Sequence, residues 1–531
     1  MKRVILTTLI ALALAKGWAG AGPSPTAGFL RIAIPREEGS LNPYTYQSGY
    51  PGWLLMTLVY DTLYYPDLDN VPQPWLARDA RPSQGGRVWT VTLRPGLRWH
   101  DGRPLTAEDV KFTFEYVKKF THARWTPQAA DIERIEVQDS LTVVFRLTKP
   151  VAWFRQLPLA DLPLLPKHIW EGVTEPGRFH NTVGSGPYRL VEAQPPQFYR
   201  LAANDAYFAG RPRVRELVLP IVADASVSFN AMQAGEVDAN TRYLLPELMA
   251  QFQRIPGLRV VRGPGFASTI LQFNLEHPLL RDVRLRRAIA HAINTQLMVR
   301  LLMLGFAEVG APGYLHPASP LYNPAVRFVP SKARAVALLN EAGYEDRNRD
   351  GIREASDGSP LRFSLLARSG DPIRIRTADL IRTWLKDIGI EVQVRVMDDP
   401  SIISLVWPDF DVCKGRRFDM VIFGWSAPVM TRPNALTQMF HSDCRIGTIN
   451  IGGYRNPEFD RLAELHAATT DARRQRELVF RMQEIVARDM PIHTLFYPDV
   501  LLAYWQTKYD GWAFQKGQGI LNKLSFVSAP R

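Results

Sequence analysis

The chain has 531 residues, of which 46% are apolar and 22% charged, a balance typical of a folded protein with room for two to four domains. Its formal net charge is +12. The basic residues are spread along the chain and form no stripe with a recognisable nucleic-acid-binding motif, so we expect no nucleic-acid partner. Beyond the N-terminus no run of eighteen consecutive apolar residues occurs, which argues against a membrane-spanning helix there.

Residues 1–21 have the pattern of a cleaved secretory signal peptide. Lys2 and Arg3 precede an uncharged, mostly apolar run at 4–15, and Ala19-Gly20-Ala21 provides small residues for cleavage. An uncleaved membrane anchor is the alternative. Because no cysteine lies near the cleavage site, a lipid anchor is not expected, and we predict export to the periplasm.

Strand-like patterns dominate the first half of the remaining chain. Apolar and polar residues alternate at 29–34, whereas 53–65 has helical spacing. Turn residues bound further predicted strands, at 87–93, 132–137, 141–147, 213–222, 258–261 and 268–274.

Several turn and capping signals follow one another within residues 89–116. Pro95-Gly96 predicts a turn, and Asp101-Gly102 predicts a tight hairpin. Thr106, followed three residues later by Asp109, predicts a capping box that opens a helix. The segment is therefore predicted to run strand, turn, strand, hairpin and capped helix.

Helices and strands alternate in the second half of the chain. Apolar residues recur at helical spacing at 282–303, 331–342, 373–388 and 457–489. Strand-like runs separate these segments or follow them, at 361–366, 390–396, 418–424 and 492–503. Such alternation predicts α/β lobes whose sheets are covered by helices.

One polar loop, at residues 346–357, has the spacing of the first half of an EF-hand-like calcium loop. Oxygen-bearing side chains occupy positions 1, 3 and 5, and Gly351 occupies position 6. The alternative is a polar hairpin between a helix and a strand. The residues that would hold a structural calcium ion are Asp346, Asn348, Asp350, Glu354 and Asp357.

The chain contains two cysteines, Cys413 and Cys444. In an oxidising compartment an even pair predicts a disulfide, and two separate buried thiols are the alternative. Neither a CxxC spacing nor a histidine cluster accompanies them, so they do not indicate a metal site.

Residues 89–116, WTVTLRPGLRWHDGRPLTAEDVKFTFEY, resemble the signature of the extracellular solute-binding protein family that serves dipeptide, oligopeptide and nickel ABC importers (family 5). Other blocks similar to the family occur in the expected order along the whole mature chain. They are SLNPYTY (40–46), VGSGPYRL (183–190), NDAYFAGRPRV (204–214), MQAGEVDA (232–239), QFNLEHPLLRDVRLRRAIAHAIN (272–294), LLNEAGY (338–344), FDMVIFGW (418–425) and GGYRNPEFDRL (452–462).

The resemblance implies an α/β fold of two lobes, the cluster C or Venus flytrap form of the periplasmic binding protein fold, with an extra inserted domain. Lobe I would consist of 28–65, 186–275 and 491–531, the inserted domain of 66–185, and lobe II of 276–490. Chain crossings between the lobes would act as hinges, and closure would bury the ligand.

The resemblance further implies a monomer that captures a peptide or peptide-like solute and delivers it to the permease and ATPase subunits of an ABC importer. No cofactor would be required. Alternatives are a non-peptide ligand (an opine, a sugar phosphate or a metal chelate) and a sensory receptor subunit. A hydrolase is the least favoured interpretation, because P-loop, HExxH and GxSxG patterns are absent from the sequence.

By resemblance, the ligand pocket would form around residues 44–47, 424–434 and 449–454. Trp425 would form an aromatic wall of the pocket; the alternative is a tryptophan of the core or the hinge. Tyr46 and Tyr454 would be aromatic residues of the cleft, and for each of them plain surface packing is an equally weighted alternative. The predicted ligand-binding residues are Tyr46, Gln47, Trp425, Ser426, Arg432, Asn450 and Tyr454.

The sequence departs from the family pattern at Pro428. Peptide-binding members carry an aspartate there, which pairs with the ligand's α-ammonium group. No acidic residue occurs from Gly424 to His441, whereas Arg432 does. We therefore expect a ligand that is blocked, anionic or not a linear peptide, with Arg432 or Arg445 meeting a carboxylate or phosphate.

Overall fold

The structure, a computed structural model, describes residues 27–45, 51–122 and 124–530. The expected signal peptide lies outside these residues. Within them, none of the helices has the length and apolar character needed to cross a bilayer.

Nineteen strands lie within the described residues. They are β1 (Ala27–Ala33), β2 (Tyr64–Pro66), β3 (Pro72–Pro74), β4 (Ala77–Ser83), β5 (Val88–Leu93), β6 (Ile132–Asp139), β7 (Thr142–Leu147), β8 (Tyr188–Gln194), β9 (Phe198–Ala203), β10 (Val214–Pro220), β11 (Ala239–Asn240), β12 (Leu258–Gly263), β13 (Thr269–Phe273), β14 (Ala307–Val309), β15 (Arg362–Arg368), β16 (Glu391–Met397), β17 (Met420–Phe423), β18 (Ile492–Pro498) and β19 (Val500–Trp505).

Fifteen α-helices accompany them in the same part of the chain. They are α1 (Gly52–Val59), α2 (Ala107–Lys119), α3 (Thr126–Ala129), α4 (Lys167–Trp170), α5 (Ala225–Gln233), α6 (Met249–Phe252), α7 (Val283–Ala292), α8 (Thr295–Met303), α9 (Lys332–Glu341), α10 (Pro372–Lys386), α11 (Asp399–Val406), α12 (Ala427–Met430), α13 (Ala435–Phe440), α14 (Pro457–Ala468) and α15 (Ala472–Asp489).

Lobe I is built on a seven-stranded sheet with the order β12-β19-β11-β1-β10-β9-β8. The N-terminal strand β1 pairs in parallel with β10 and β11, and the late strand β19 pairs antiparallel with β12. Helix α1 packs on this sheet through the fully buried side chains of Leu55, Leu58 and Val59. Three distant chain segments therefore share one core, as the family resemblance implies.

The inserted domain contains a four-stranded antiparallel sheet, β4-β5-β7-β6, which packs against α2. The predicted capping box is present: the Thr106 side chain accepts from the N3 backbone, and the Asp109 carboxylate accepts from the Thr106 N–H at 2.9 Å. Val110, Phe114 and Val117 follow on the buried face of the helix, so the sequence pattern here is confirmed.

Lobe II is built on a six-stranded sheet with the order β14-β18-β13-β17-β15-β16, in which β15 runs parallel to both of its neighbours. Leu285, Ile289 and Ile293 recur every four residues and are fully buried. The predicted disulfide between Cys413 and Cys444 is present, with their Cα atoms 5.4 Å apart, and it ties together two loops of this lobe.

The sheet assignments correct the lobe boundaries expected from the sequence. Strands β13 and β18 belong to lobe II, although they fall within 186–275 and 491–531, which were expected in lobe I. The predicted strand at 492–503 is in fact two strands, one in each lobe, separated by Asp499 alone. The signal of this crossing in the sequence is the single Pro498-Asp499 pair within a mostly apolar stretch, which is too short to predict a loop by itself.

Two adjacent chain crossings join the lobes, one at residues 264–268 and the other at Asp499. Each crossing continues an antiparallel strand pair, since β12 pairs with β19 in lobe I and β13 pairs with β18 in lobe II. The two crossings are in close contact: a Cβ atom added to Gly265 would lie 2.0 Å from the carbonyl oxygen of Pro498. Arg262 Nε also donates to Asp499 Oδ2 at 2.6 Å.

Candidate functional site

A cavity of about 110 Å³ lies where lobe I, the inserted domain and lobe II meet. Helix α1 and the residues that follow it contribute aromatic side chains, including Trp53, Tyr60 and Tyr65. The opposite wall is the loop of lobe II that includes Pro428 and Arg432. Small-molecule pockets usually measure about 300–1,000 Å³, so this cavity is smaller than a typical ligand pocket.

The inserted domain contributes a buried ion pair to the cavity wall. Arg124 Nε donates to Asp161 Oδ2 at 2.8 Å, a second hydrogen bond joins the same two side chains, and Gln128 Nε2 donates to the carboxylate at 2.7 Å. The Arg124 guanidinium also lies 3.8 Å from the ring centroid of Trp53. Burial raises the pKa of Asp161, but the attraction of Arg124 outweighs it, so the pKa is lowered overall. Asp161 is therefore ionised, and both of its carboxylate oxygens accept hydrogen bonds from Arg124 or Gln128.

Arg432 enters the cavity from lobe II without a comparable partner. It follows the short helix α12, which starts with a proline near its N-terminus and is stopped by Pro433. Within the residues that the structure describes, its buried Nε atom has no hydrogen-bond partner. Burial, and then repulsion by Arg124, lowers the pKa of Arg432 to about 10, with attraction by Asp161 as a partial offset. The guanidinium therefore remains charged at neutral pH.

A second buried pair closes the floor of the cavity. Lys523 and Asp61 form an ion pair in which both side chains are at most 1% exposed. Lys523 also donates to the Tyr60 carbonyl at 3.0 Å, and Asp61 accepts from Trp75 Nε1 at 2.9 Å and from the Tyr207 hydroxyl at 3.0 Å. This pair is neutral as a unit.

The described charges around the cavity sum to one unit of positive charge. Arg124 is balanced by Asp161 and Lys523 by Asp61, which leaves Arg432 uncompensated. Residues 46–50 carry no charged side chain. A half-buried guanidinium in a narrow cavity interacts more strongly with an anion than an exposed one does, because less water screens it, so the arrangement favours a solute with a carboxylate or phosphate.

Two other predicted ligand residues, Trp425 and Ser426, precede the cavity-lining residues Pro428 and Arg432 by a few positions in the chain. Trp425 is 8% exposed and packs edge-on against Trp407 and Phe423, and its Nε1 atom has no partner among the described residues. Ser426 is exposed at the start of α12. Neither belongs to the lining of the cavity, whereas Pro428, at the expected aspartate position, does.

The remaining predicted ligand residues are placed elsewhere. Asn450 and Tyr454 are buried within lobe II, where the Asn450 amide donates to the His441 carbonyl at 3.1 Å and the Tyr454 hydroxyl donates to Asp489 at 2.6 Å. Tyr46 and Gln47 lie outside the described residues. Arg445, the other candidate for an anion, is 83% exposed and paired with Asp443.

The predicted calcium loop contains a smaller acidic cluster than expected. Carboxylate oxygens of Asp346, Asp350 and Glu354 all lie within 4.8 Å of one another. Asp357 lies outside this cluster because its carboxylate accepts from the Ser359 N–H at 2.9 Å in a turn of its own. Asn348 Oδ1 accepts from the Asp350 N–H at 2.8 Å.

Comparisons with known proteins agree with this architecture. Residues 71–446 match the profile described as bacterial extracellular solute-binding proteins, family 5 Middle. The oligopeptide-binding protein AppA of Bacillus subtilis (strain 168) is 28% identical over 442 residues, which are 80% of this chain and 78% of that protein.

Solved structures extend the likeness to the whole fold. The periplasmic oligopeptide-binding protein of an oligopeptide ABC transporter from Thermotoga maritima is 26% identical, with a TM-score of 0.81 over 92% of this chain and 94% of that chain. NikA from Brucella suis, solved in complex with Fe(III)-EDTA, is 22% identical, with a TM-score of 0.81 over 95% of this chain and 100% of that chain. The two-lobed α/β fold with an inserted domain is thus confirmed.

Proposed function

The chain belongs to family 5 of the bacterial extracellular solute-binding proteins, and from this premise we propose that it captures a peptide or peptide-like solute bearing a negatively charged group and presents it to the permease and ATPase subunits of an ABC importer. The observation that carries the choice of solute is the half-buried guanidinium of Arg432, whose buried Nε atom has no hydrogen-bond partner among the described residues. The N-terminal signal pattern supports capture in the periplasm.

Capture would proceed by closure of the lobes on the solute. Arg432 approaches from lobe II, while Trp53, Tyr60 and the Arg124–Asp161 pair lie on the other side of the cavity. Closing the cleft expels water and strengthens each charged hydrogen bond to the solute. A solute larger than the closed cavity would hold the lobes further apart at the same hinge.

The described lining offers a free peptide N-terminus no uncommitted carboxylate. Pro428 occupies the expected aspartate position, and the only carboxylate there, on Asp161, already accepts hydrogen bonds from Arg124 and Gln128. An α-ammonium group would also be repelled by Arg432. We therefore propose that the charged end of the solute is anionic and that any amine is blocked or lies outside the cleft.

Isothermal titration calorimetry with matched peptides tests the proposal. N-acetylated peptides with a free carboxylate are expected to bind more tightly than the same peptides with a free amine, and C-terminal amidation should weaken binding by roughly 10- to 100-fold. Sugar phosphates and carboxylate-bearing metal chelates should be included as non-peptide alternatives. A clear preference for the free amine would refute the anionic-solute proposal.

We propose no chemistry on the solute and no cofactor for its capture. Incubating the protein with each bound compound and analysing the mixture by mass spectrometry should return the compound intact. Turnover of any compound would instead point to an enzyme. A cation bound at the acidic cluster would act on the stability of lobe II.

A further inference from the structure

The acidic cluster lies in the loop that joins α9 to β15, away from the solute cavity. This loop enters β15 at the amino end of the strand, whereas the cavity wall follows the carboxyl end of β17. Because β15 and β17 run parallel, the loop and the cavity occupy opposite edges of the lobe II sheet. Whatever the cluster binds is therefore separate from the solute.

Glu354 gives the cluster an unsatisfied buried oxygen. The residue is 6% exposed, and its Oε2 atom accepts from the Arg347 N–H at 2.9 Å. Its Oε1 atom is buried and, as far as the chain is described, meets no hydrogen-bond donor. A carboxylate oxygen removed from water without a partner is costly, and a cation bound beside it would remove that cost.

Neighbouring arginines do not supply that charge. Arg347 and Arg353 direct their guanidinium groups to backbone carbonyls, at 2.6 Å and 2.7 Å respectively. Arg362 reaches Asp350 at 3.4 Å from a largely exposed position, and its Nε atom pairs with Glu391 outside the cluster at 2.6 Å. The three carboxylates thus retain a net negative charge that the surrounding side chains leave uncompensated.

We propose that this loop binds a calcium ion through Asp346, Asp350 and Glu354. Oxygen ligands suit a hard cation, and calcium–oxygen bonds of about 2.4 Å place ligand atoms up to about 4.8 Å apart across the ion. The three carboxylate oxygens lie within 4.8 Å of one another, close enough to share one such ion. The ion would brace the connection between α9 and β15 and so stabilise lobe II.

Calcium titration of the full-length protein, stripped with EDTA and dialysed, tests the proposal. Calorimetry with CaCl₂ should give a dissociation constant of roughly 0.1–1 mM, in the range of extracellular calcium modules. At 10 mM CaCl₂ the unfolding transition of lobe II should rise by about 3–5 °C. Absence of both heat and a shift would overturn the proposal, and an equal response to MgCl₂ would overturn the assignment of calcium.

Two variants of the same loop separate a metal site from general charge effects. Asp346→Asn removes one ligand charge but keeps an oxygen that can accept from the Gly351 N–H, at 3.0 Å in the wild type, so it should fold and lose at least about 10-fold in calcium affinity. Asp357→Asn removes an exposed charge outside the cluster and should bind calcium like the wild type. Wild-type calcium affinity in Asp346→Asn would contradict the assignment.

Discussion

The surroundings of Arg432 lower the stability of the empty protein and at the same time favour the binding of an anion. The burial of Arg432 and its proximity to Arg124 destabilise the charged guanidinium in the empty protein, and the same features make it a strong anion receptor. Stability given up at a binding site is recovered when the ligand supplies the missing partner.

Replacing Arg432 with glutamine should therefore separate binding from stability. We expect Arg432→Gln to weaken binding of an anionic solute by roughly 10- to 100-fold, since it removes a charged hydrogen bond. The same change should leave the melting temperature of the empty protein unchanged or raise it, because a desolvated cation is removed. Arg445→Gln is the matched control: it removes an exposed arginine and should change neither quantity.

The pH dependence of binding follows from the lowered pKa of Arg432. Solute binding requires the protonated guanidinium, so affinity should be constant from about pH 6 to pH 9 and fall as the pH rises through about 10. Calorimetry across this range, with a solute that does not titrate there, measures the effect. An affinity that stays constant to pH 11 would show that Arg432 does not contact the solute.

At the scale of elements, the sequence predicts features that depend on neighbouring residues, but it does not predict which distant strands pair in one sheet. The capping box at Thr106 and the apolar periodicity of α7 were correctly predicted because each depends on residues within a few turns. The crossing at Asp499 was missed because only the Pro498-Asp499 pair separates β18 from β19, and which sheet each strand joins depends on distant partners.

The residues of the candidate site also differ in whether the sequence alone could identify them. Arg432 and Pro428 were found from the family pattern around α12, whereas Arg124, Asp161 and Lys523 were not. Those three meet only because the inserted domain and the C-terminal segment fold back against α1, and no spacing in the sequence records that contact.

The hinge between the lobes should be sensitive at Gly265. A side chain there would collide with the Pro498 carbonyl oxygen at 2.0 Å, so Gly265→Ala should force the two crossings apart and destabilise the protein by about 2 kcal/mol. Chemical denaturation measures the loss. Gly172→Ala, at a position with open space around it, should change stability by less than about 0.5 kcal/mol.

The disulfide should stabilise lobe II through the loop it closes. Cys413 and Cys444 are 31 positions apart, which corresponds to about 3–4 kcal/mol in the chain-entropy model. Reduction should lower the unfolding free energy of lobe II by about this amount, as measured by denaturation with and without reductant. A double Cys→Ser variant should match the reduced wild type and show no further effect of reductant.

At the scale of the whole molecule, the inserted domain and lobe II also meet in a second contact outside the cavity. The Ala152 N–H of the inserted domain donates to the Ala467 carbonyl of lobe II at 3.1 Å, and the ring centroids of Trp153 and His466 lie 5.4 Å apart. These contacts join the same two bodies that approach each other across the solute, so they favour the closed form without touching the ligand.

Trp153→Ala should consequently weaken solute binding although Trp153 is not part of the described lining. Loss of this contact lowers the closed fraction, and apparent affinity falls in proportion, by roughly 3- to 10-fold. Small-angle scattering should show a larger radius of gyration for the empty variant than for the empty wild type. Unchanged affinity together with unchanged scattering would remove this contact from the closure mechanism.

The buried pair between Asp61 and Lys523 makes the end of the polypeptide a working part of the binding lobe. A premature stop or a protease cut ahead of Lys523 would leave Asp61 sealed away from water with no counter-ion, and the Tyr60 carbonyl without its donor. A truncation that removes Lys523 is therefore hazardous, whereas a purification tag fused beyond it keeps the lysine in place.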